Sequence, residues 1–137
     1  MNVWRLGTRW EETPVLDLIL ESKVAFYYIG WHVEGVAEDD IIAIAKPSSR
    51  MVVALGIAAS SVQPLSELLT PEEQKGILAD WINDAKGFRF KKLWIIPEDK
   101  QYQTADYKQF YNLGNDQEAW NKSVKLVELF QKEEGDK

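Results

Sequence analysis

Two apolar runs in the first half of the chain give the clearest pattern of hydrophobic positions. Residues 41–45 and 51–59 are almost wholly apolar, and the polar residues 46–50 separate them. Short apolar runs are typical of strands that are buried on both faces, and a short polar loop between two of them predicts a hairpin. Residues 24–29 lie upstream, and their richness in aromatic side chains predicts another strand. We expect these segments to line any ligand pocket.

The pattern elsewhere predicts two more strands and a first helix. Residues 2–6 alternate between two faces and predict the opening strand, and residues 88–96 predict a late one. Thr13 and Pro14 predict the start of a short helix, because threonine can cap a helix and proline is tolerated in its first turn. This helix is expected to end near Ser22.

A second helix is predicted from a local signal at Thr70. Thr70 and Glu73 have the spacing of a capping box, and Pro71 fits the first helical position. The helix is expected to run to about Asp84 and to stop before Gly87.

The last helix is predicted from Gln117 to about Lys132, because apolar residues recur there at helical spacing. Residues 100–113 show no clear pattern.

The order of elements predicts an α+β fold, a small and mostly antiparallel β-barrel with flanking helices. We expect one domain over residues 1–132 and a short tail at 133–137.

Composition excludes several kinds of site. The 137 residues include six tryptophans and one histidine but no cysteine, so disulfides, thiolate zinc sites and cysteine nucleophiles are excluded. We expect no metal and no cofactor. No signal-peptide pattern opens the chain, and its longest apolar run is too short to cross a bilayer, so the expected location is the cytoplasm and no membrane contact is expected.

Catalysis has little support in the sequence. His32 is the only imidazole, and neither a Gly-x-Ser-x-Gly turn nor a glycine-rich phosphate loop is present. We therefore expect a binding protein, not an enzyme. An enzyme acting through carboxylates would need a cleft that holds at least two of Glu11, Glu12, Glu34 and Asp40.

Net charge is −6, which counts against tight non-specific binding of nucleic acid but permits a base to be read in a pocket. The acidic run Glu38, Asp39 and Asp40 is interpreted as a solvated turn, since the spacing of a calcium loop is absent.

Aromatic residues beside glycines are the candidate binding groups. Trp10 and Trp31 fall in apparent loops, where they can stack on a planar ligand such as a nucleobase or enclose a methylated amine. Packing in the core explains them equally well. Tyr27 and Tyr28 lie within a predicted strand, and we interpret both as core residues.

Polar candidates lie close to these aromatic residues in the sequence. Arg9 could reach the edge of a base or a phosphate, and Lys46, Ser48 and Arg50 could contact a phosphate backbone. A second basic cluster at residues 86–92 is interpreted as a solvated strand face.

Four pieces of the first 60 or so residues resemble the PUA-like superfamily, in particular its EVE and YTH-like branches. They are the opening strand Val3-Trp4-Arg5-Leu6, the pair Gly30-Trp31, the acidic turn into an apolar strand at residues 38–44, and the strand with an embedded glycine at 52–57. The resembling families have glycine where this chain has Asp39, and the Arg/Asn-rich segment of EVE domains is replaced by residues 32–37.

The resemblance implies a PUA-like barrel with a pocket at Trp31 that reads modified or flipped-out bases in DNA or RNA. It also implies a role as the recognition part of a modification-dependent restriction or defence system. The alternative is an acidic protein-interaction or regulatory domain without a small ligand, whose last helix docks a partner protein. A cleft beside Trp31 distinguishes the two.

Overall fold

The predicted hairpin forms the middle of a curled sheet in a computed structural model that describes residues 1–31, 33 and 35–135. Ten strands are present in these ranges: β1 (Val3–Leu6), β2 (Arg9–Trp10), β3 (Thr13–Pro14), β4 (Val24–Tyr28), β5 (Ile41–Ala45), β6 (Met51–Ala58), β7 (Gln63–Pro64), β8 (Ala85–Ile95), β9 (Tyr102–Gln103) and β10 (Phe110–Asn112). The helices there are α1 (Leu16–Ser22), α2 (Leu65–Leu68) and α3 (Gln117–Gly135).

The main sheet has the order β10-β1-β5-β6-β8-β4, with β7 added to β8 and β9 added to β6. Its pairs are antiparallel except for β1 and β5, which run parallel. The two ends of this order, β10 and β4, do not pair with each other within the described residues. The prediction of an α+β fold with a mostly antiparallel sheet is confirmed, and the sheet is a half-barrel.

Both faces of the central hairpin are buried, as its unbroken apolar pattern predicts. Ile42 and Ile44 belong to one hydrophobic cluster, which includes Ile19 of α1 and Leu65 of α2. Ile41 and Ala43 belong to a second cluster, which α3 covers with Val127 and Phe130 (the first and second clusters below). Alternate residues of β5 therefore support two separate cores, one on each side of the sheet.

The predicted helix start at Thr13 is wrong. Thr13 pairs with Trp10 and Pro14 with Arg9, in a two-stranded hairpin turned at Glu11, whose φ is +53°. Proline is compatible with such a short edge strand because its missing N–H is not needed there. The helix begins at Leu16 and ends at Ser22, so the prediction of its end is confirmed.

The capping box forms, but the predicted helix to Asp84 does not. Thr70 N–H donates to Glu73 Oε1 at 2.9 Å, and Glu73 N–H donates to Thr70 Oγ1 at 3.2 Å. Only short 3₁₀ turns follow, at Glu73–Lys75 and Ala79–Trp81, because Gly76 has a ψ of −147°, which is not a helical conformation. Gly87, predicted as a helix stop, lies inside β8.

The acidic turn is solvated only in part. Glu38 and Asp39 are exposed and pair with Lys91 at 3.0 and 2.8 Å. Asp40 is buried, and its carboxylate accepts hydrogen bonds from Trp4 Nε1 and from the N–H groups of residues 2 and 37, each at 3.0 Å. The interpretation of Asp40 as a solvated residue is therefore wrong, because the carboxylate closes the end of the β1–β5 pair.

The terminal helix α3 extends beyond its predicted end at Lys132 to Gly135. This helix is not apolar enough to be a transmembrane segment, and none of the helices in the described residues could span a membrane.

Candidate ligand-binding cleft

Two adjoining clefts open where the loops at one edge of the sheet meet. Because β1 and β5 are parallel, the residues that follow them, Gly7 and Lys46, lie at the same edge. The antiparallel strand β10 brings Gln109 beside Gly7, whose N–H donates to the Gln109 carbonyl. The larger cleft has a volume of about 380 Å³ and the smaller one about 230 Å³, and Trp31 and Glu11 line both.

Three aromatic rings surround the smaller cleft. Tyr28 stands edge-on to Trp10, with ring centroids 5.9 Å apart, and nearly edge-on to Trp31 at 6.5 Å. Among the described ring contacts, Trp10 and Trp31 touch Tyr28 and not each other. The smaller cleft, which both indoles line, is the space that a planar group could enter.

The core holds the two tryptophans in different ways. Trp10 packs at 4.8 Å from Trp81 and 6.1 Å from Phe26, so its rear face belongs to the first cluster. Trp31 lies almost parallel to the buried ring of Tyr27, at 12° and 6.2 Å. Each indole is half-buried, with one side supported by the core and another side lining the cleft.

The turn that carries Trp31 depends on Gly30. Trp31 N–H donates to the Tyr28 carbonyl at 3.1 Å, which closes the turn after β4. A Cβ atom on residue 30 would lie 2.3 Å from Cε1 of Tyr28. Glycine therefore lets the Tyr28 ring fold back over its own turn and form a wall of the cleft.

The interpretation of Tyr27 and Tyr28 as core residues is confirmed for Tyr27 and wrong for Tyr28. Tyr27 is 2% exposed, whereas Tyr28 is 46% exposed and lines the smaller cleft. The two residues are neighbours on a strand, so their side chains point to opposite faces. Val24 and Phe26, on the same face as Tyr28, are buried, so the cover on that face ends at the last residue of β4.

The larger cleft is rich in basic and polar groups. Its lining residues are Arg5, Gly7, Arg9, Glu11, Trp31, Lys46, Ser48, Ser49, Tyr107 and Gln109. Arg9 Nη1 donates to Ser48 Oγ at 3.0 Å, which joins the β2–β3 hairpin to the β5–β6 loop. With three cations and one carboxylate, this cleft has the opposite sign of charge from the whole chain, which carries −6.

Arg5 lies at the inner wall of the larger cleft and is 2% exposed. Its Nη2 donates to the Ser49 carbonyl at 2.6 Å, its Nε donates to Thr104 Oγ1 at 3.2 Å, and its Nη1 donates to the carbonyls of Tyr107 and Lys108. The guanidinium thereby connects two loops that both line the cleft. Burial lowers the pKa of Arg5 from its ordinary value, and Tyr111 and Asp106 act in the opposite direction.

The structure brings most of the predicted site residues together. Arg9, Trp31, Lys46 and Ser48 line the larger cleft, and Trp10 lines the smaller one. Arg50 does not line either cleft; its guanidinium lies 5.4 Å from the centroid of the Tyr107 ring, and Tyr107 lines the larger cleft.

Of the four carboxylates considered for catalysis, Glu11 lines both clefts, Glu12 is exposed, and Asp40 is buried under Trp4. Glu34 and His32 lie outside the described residues.

Sequence reasoning missed the cleft residues Arg5, Tyr28, Tyr107 and Gln109. Arg5 left one signal, since it is a charged residue in the middle of an otherwise apolar strand next to Trp4 and Leu6. Tyr107 and Gln109 lie in the segment without a pattern. No family model matches this chain, and no curated protein matches its sequence.

Proposed function

We propose that the chain is a binding module that accepts a planar group, a modified or flipped-out nucleobase of DNA or RNA, in the cleft at Trp31. The observation that carries this proposal is the smaller cleft lined by Trp10, Tyr28 and Trp31, which shares Trp31 and Glu11 with a cationic cleft. The resemblance to EVE and YTH-like domains of the PUA-like superfamily supports the same function.

Stacking supplies most of the affinity in this proposal. A base that stacks on an aromatic side chain gains about 1–3 kcal/mol, and two indoles and the Tyr28 ring line the smaller cleft. The indoles are held by Trp81, Phe26 and Tyr27, so little ordering is needed when the ligand binds.

Polar groups beside the smaller cleft favour a ligand with a negative charge. Arg9 reaches the edge of the base or its phosphate, and Lys46 and Ser48 hold the backbone. Arg50 contributes through Tyr107, which it contacts at the rim. The cationic cleft on an acidic chain attracts an anionic group locally while the remaining surface repels a long polyanion.

The resemblance further supports a role as the recognition part of a modification-dependent restriction or defence system. In that role a partner protein would supply catalysis, and the module would supply only the choice of base.

The acidic interaction domain without a small ligand has less support. The acidic charge and the amphipathic last helix motivate this alternative, but Val127 and Phe130 on the apolar face of that helix are buried against the sheet. Its discriminating observation was an enclosed Trp31, whereas Trp31 lines two clefts.

The experiment is a titration with methylated and unmethylated single-stranded oligonucleotides at low salt, followed by tryptophan fluorescence. We expect quenching by at least one methylated strand, and a loss of about 1–3 kcal/mol of binding free energy in Trp31→Ala. The matched control is Trp120→Ala, another half-buried tryptophan, which packs on the second cluster. Equal weakening by both substitutions, or no quenching by any strand, would contradict the proposal.

A further inference from the structure

The larger cleft contains a buried cation without an acidic partner. Arg5 donates hydrogen bonds only to neutral oxygens, those of Ser49, Thr104, Tyr107 and Lys108. No carboxylate in residues 1–31, 33 and 35–135 forms an ion pair with it. Buried charges in proteins are usually paired, and arginine stays protonated, so this guanidinium keeps a positive charge that only neutral hydrogen-bond acceptors contact directly, while Asp106 acts on it from farther away.

From this we infer that Arg5, Arg9 and Lys46 form a site for a single phosphate group, so that the module engages one nucleotide, its base in the smaller cleft and its adjacent phosphate in the larger cleft. The inference rests on the proposed function for the base, but the anion site can be tested without it.

The wall of the cleft is tightly packed at residue 7, which is a glycine. A Cβ atom at position 7 would lie 3.1 Å from Arg5 Nη1 and 2.5 Å from Gln109 Oε1. Any larger residue would therefore place atoms against the buried cation and move Gln109. Gly7 therefore lets the Gln109 side chain and the Arg5 guanidinium pack against the backbone at the wall of the cleft.

Several basic residues elsewhere on the surface are already paired with acids. Arg89 pairs with Glu73, Lys91 with Glu38 and Asp39, Lys92 with Glu134, Lys108 with Asp106, and Lys122 with Glu118. By contrast, Lys46 has no ion pair within the described ranges. Arg9 pairs with the exposed Glu12 at 4.0 Å, and unpaired lysines such as Lys125 also lie elsewhere on the described surface. Arg5, Arg9 and Lys46 are nevertheless the cations that line the larger cleft together, and a cluster of three suits one phosphate and not a run of them.

The test compares a methylated nucleoside, the same nucleoside as its 5′-monophosphate, and inorganic phosphate, each titrated into the full chain by NMR. We expect the monophosphate to bind about tenfold or more tightly than the nucleoside, the effect of one charged hydrogen-bonding group. Lys46→Ala and Gly7→Ala should abolish most of that difference, because one removes a cation and the other displaces Gln109 and the Arg5 guanidinium at the wall of the cleft. Lys125→Ala, an exposed lysine of α3, should preserve it.

Salt dependence gives a second, independent measure of how many phosphates are bound. For a single strand the logarithm of affinity falls with the logarithm of salt concentration with a slope of about −0.7 per phosphate. One bound phosphate predicts a slope near −0.7 for a methylated oligonucleotide, and six would give about −4. A steep slope, or a strand of several nucleotides binding far more tightly than the monophosphate, would overturn the single-phosphate inference.

The outcomes also separate this inference from the proposed function. If the nucleoside binds and the phosphate adds nothing, the base-binding proposal stands and the phosphate site is refuted. Suppose that inorganic phosphate binds to the wild type but not to Lys46→Ala or Gly7→Ala, and that the nucleoside does not bind. The phosphate site then stands and the base-binding proposal fails. If neither binds, both are refuted.

Discussion

The hydroxyl of Tyr27 is buried without a hydrogen-bond partner among the described residues. Burial raises the pKa of Tyr27 to about 12, so the group remains a neutral phenol at ordinary pH. Because a buried polar atom without a partner is costly, removing it should not harm the fold. We predict that Tyr27→Phe is neutral or stabilises the chain by up to about 1 kcal/mol, as measured by the denaturant midpoint. A clear loss of stability would mean that the hydroxyl has a partner in the protein.

Trp31 lies at the edge of the core and not inside it. It is half-buried and packs against the first cluster from outside, beside Tyr27. We predict that Trp31→Ala lowers the free energy of unfolding by less than the about 3–5 kcal/mol that is typical of a fully buried tryptophan. Denaturant midpoints of the variant and the wild type measure this, and a loss within the larger range would identify Trp31 as a packing residue.

At the scale of elements, the short segment after α2 is fastened to the sheet by one ion pair. Arg89 of β8 donates to both carboxylate oxygens of Glu73, at 2.9 and 2.5 Å, and also to the Leu68 carbonyl. The hydrogen bonds from Arg89, followed by that from the Thr70 backbone, lower the pKa of Glu73 from 4.5 to about 2. Both side chains are more than a third exposed, so the pair contributes only about 0.2–1 kcal/mol.

This pair predicts a specific dependence of stability on pH. A lowered pKa in the folded state stabilises the fold above pH 4.5, and that contribution is lost as the pH falls towards about 2. Glu73→Gln should therefore reduce stability at pH 6 but much less at pH 2.5, as measured by denaturant midpoints. Glu67→Gln is the control, since Glu67 is exposed and has no ion pair within the described ranges. An equal effect of Glu73→Gln at both pH values would contradict the assignment.

Elements with strong local patterns were predictable, and those that depend on distant partners were not. The β5–β6 hairpin follows from two apolar runs and a short loop, and it forms. The capping box at Thr70 also forms, but the residues after it do not continue as a helix, because Gly76 interrupts them and Glu73 is held by Arg89. Thr13 and Pro14 form a strand because Trp10 and Arg9 pair with them.

At the scale of the whole molecule, the candidate cleft is assembled from segments far apart in the chain. Arg9, Trp31, Lys46 and Ser48 could be chosen from the sequence because each lies in a polar or glycine-containing loop between apolar elements. Arg5 could not, because its contacts with Ser49 and Thr104 depend on the parallel pairing of β1 with β5 and on the path of residues 100–113. The apolar pattern of β4 does not show where the cover over one of its faces ends, so Tyr28, its last residue, was also missed.

The measurement that tests the central claim most directly is the response of the indole N–H signals in NMR spectra. Two of the six tryptophans, Trp10 and Trp31, line the clefts, whereas Trp94 and Trp120 pack on the second cluster on the other side of the sheet. Single Trp→Phe variants assign the signals, and a methylated oligonucleotide is then titrated into the full chain at low salt. The base-binding account predicts shifts at Trp10 and Trp31 while Trp94 and Trp120 stay in place. Shifts confined to Trp94 and Trp120, or an unchanged spectrum, would contradict it.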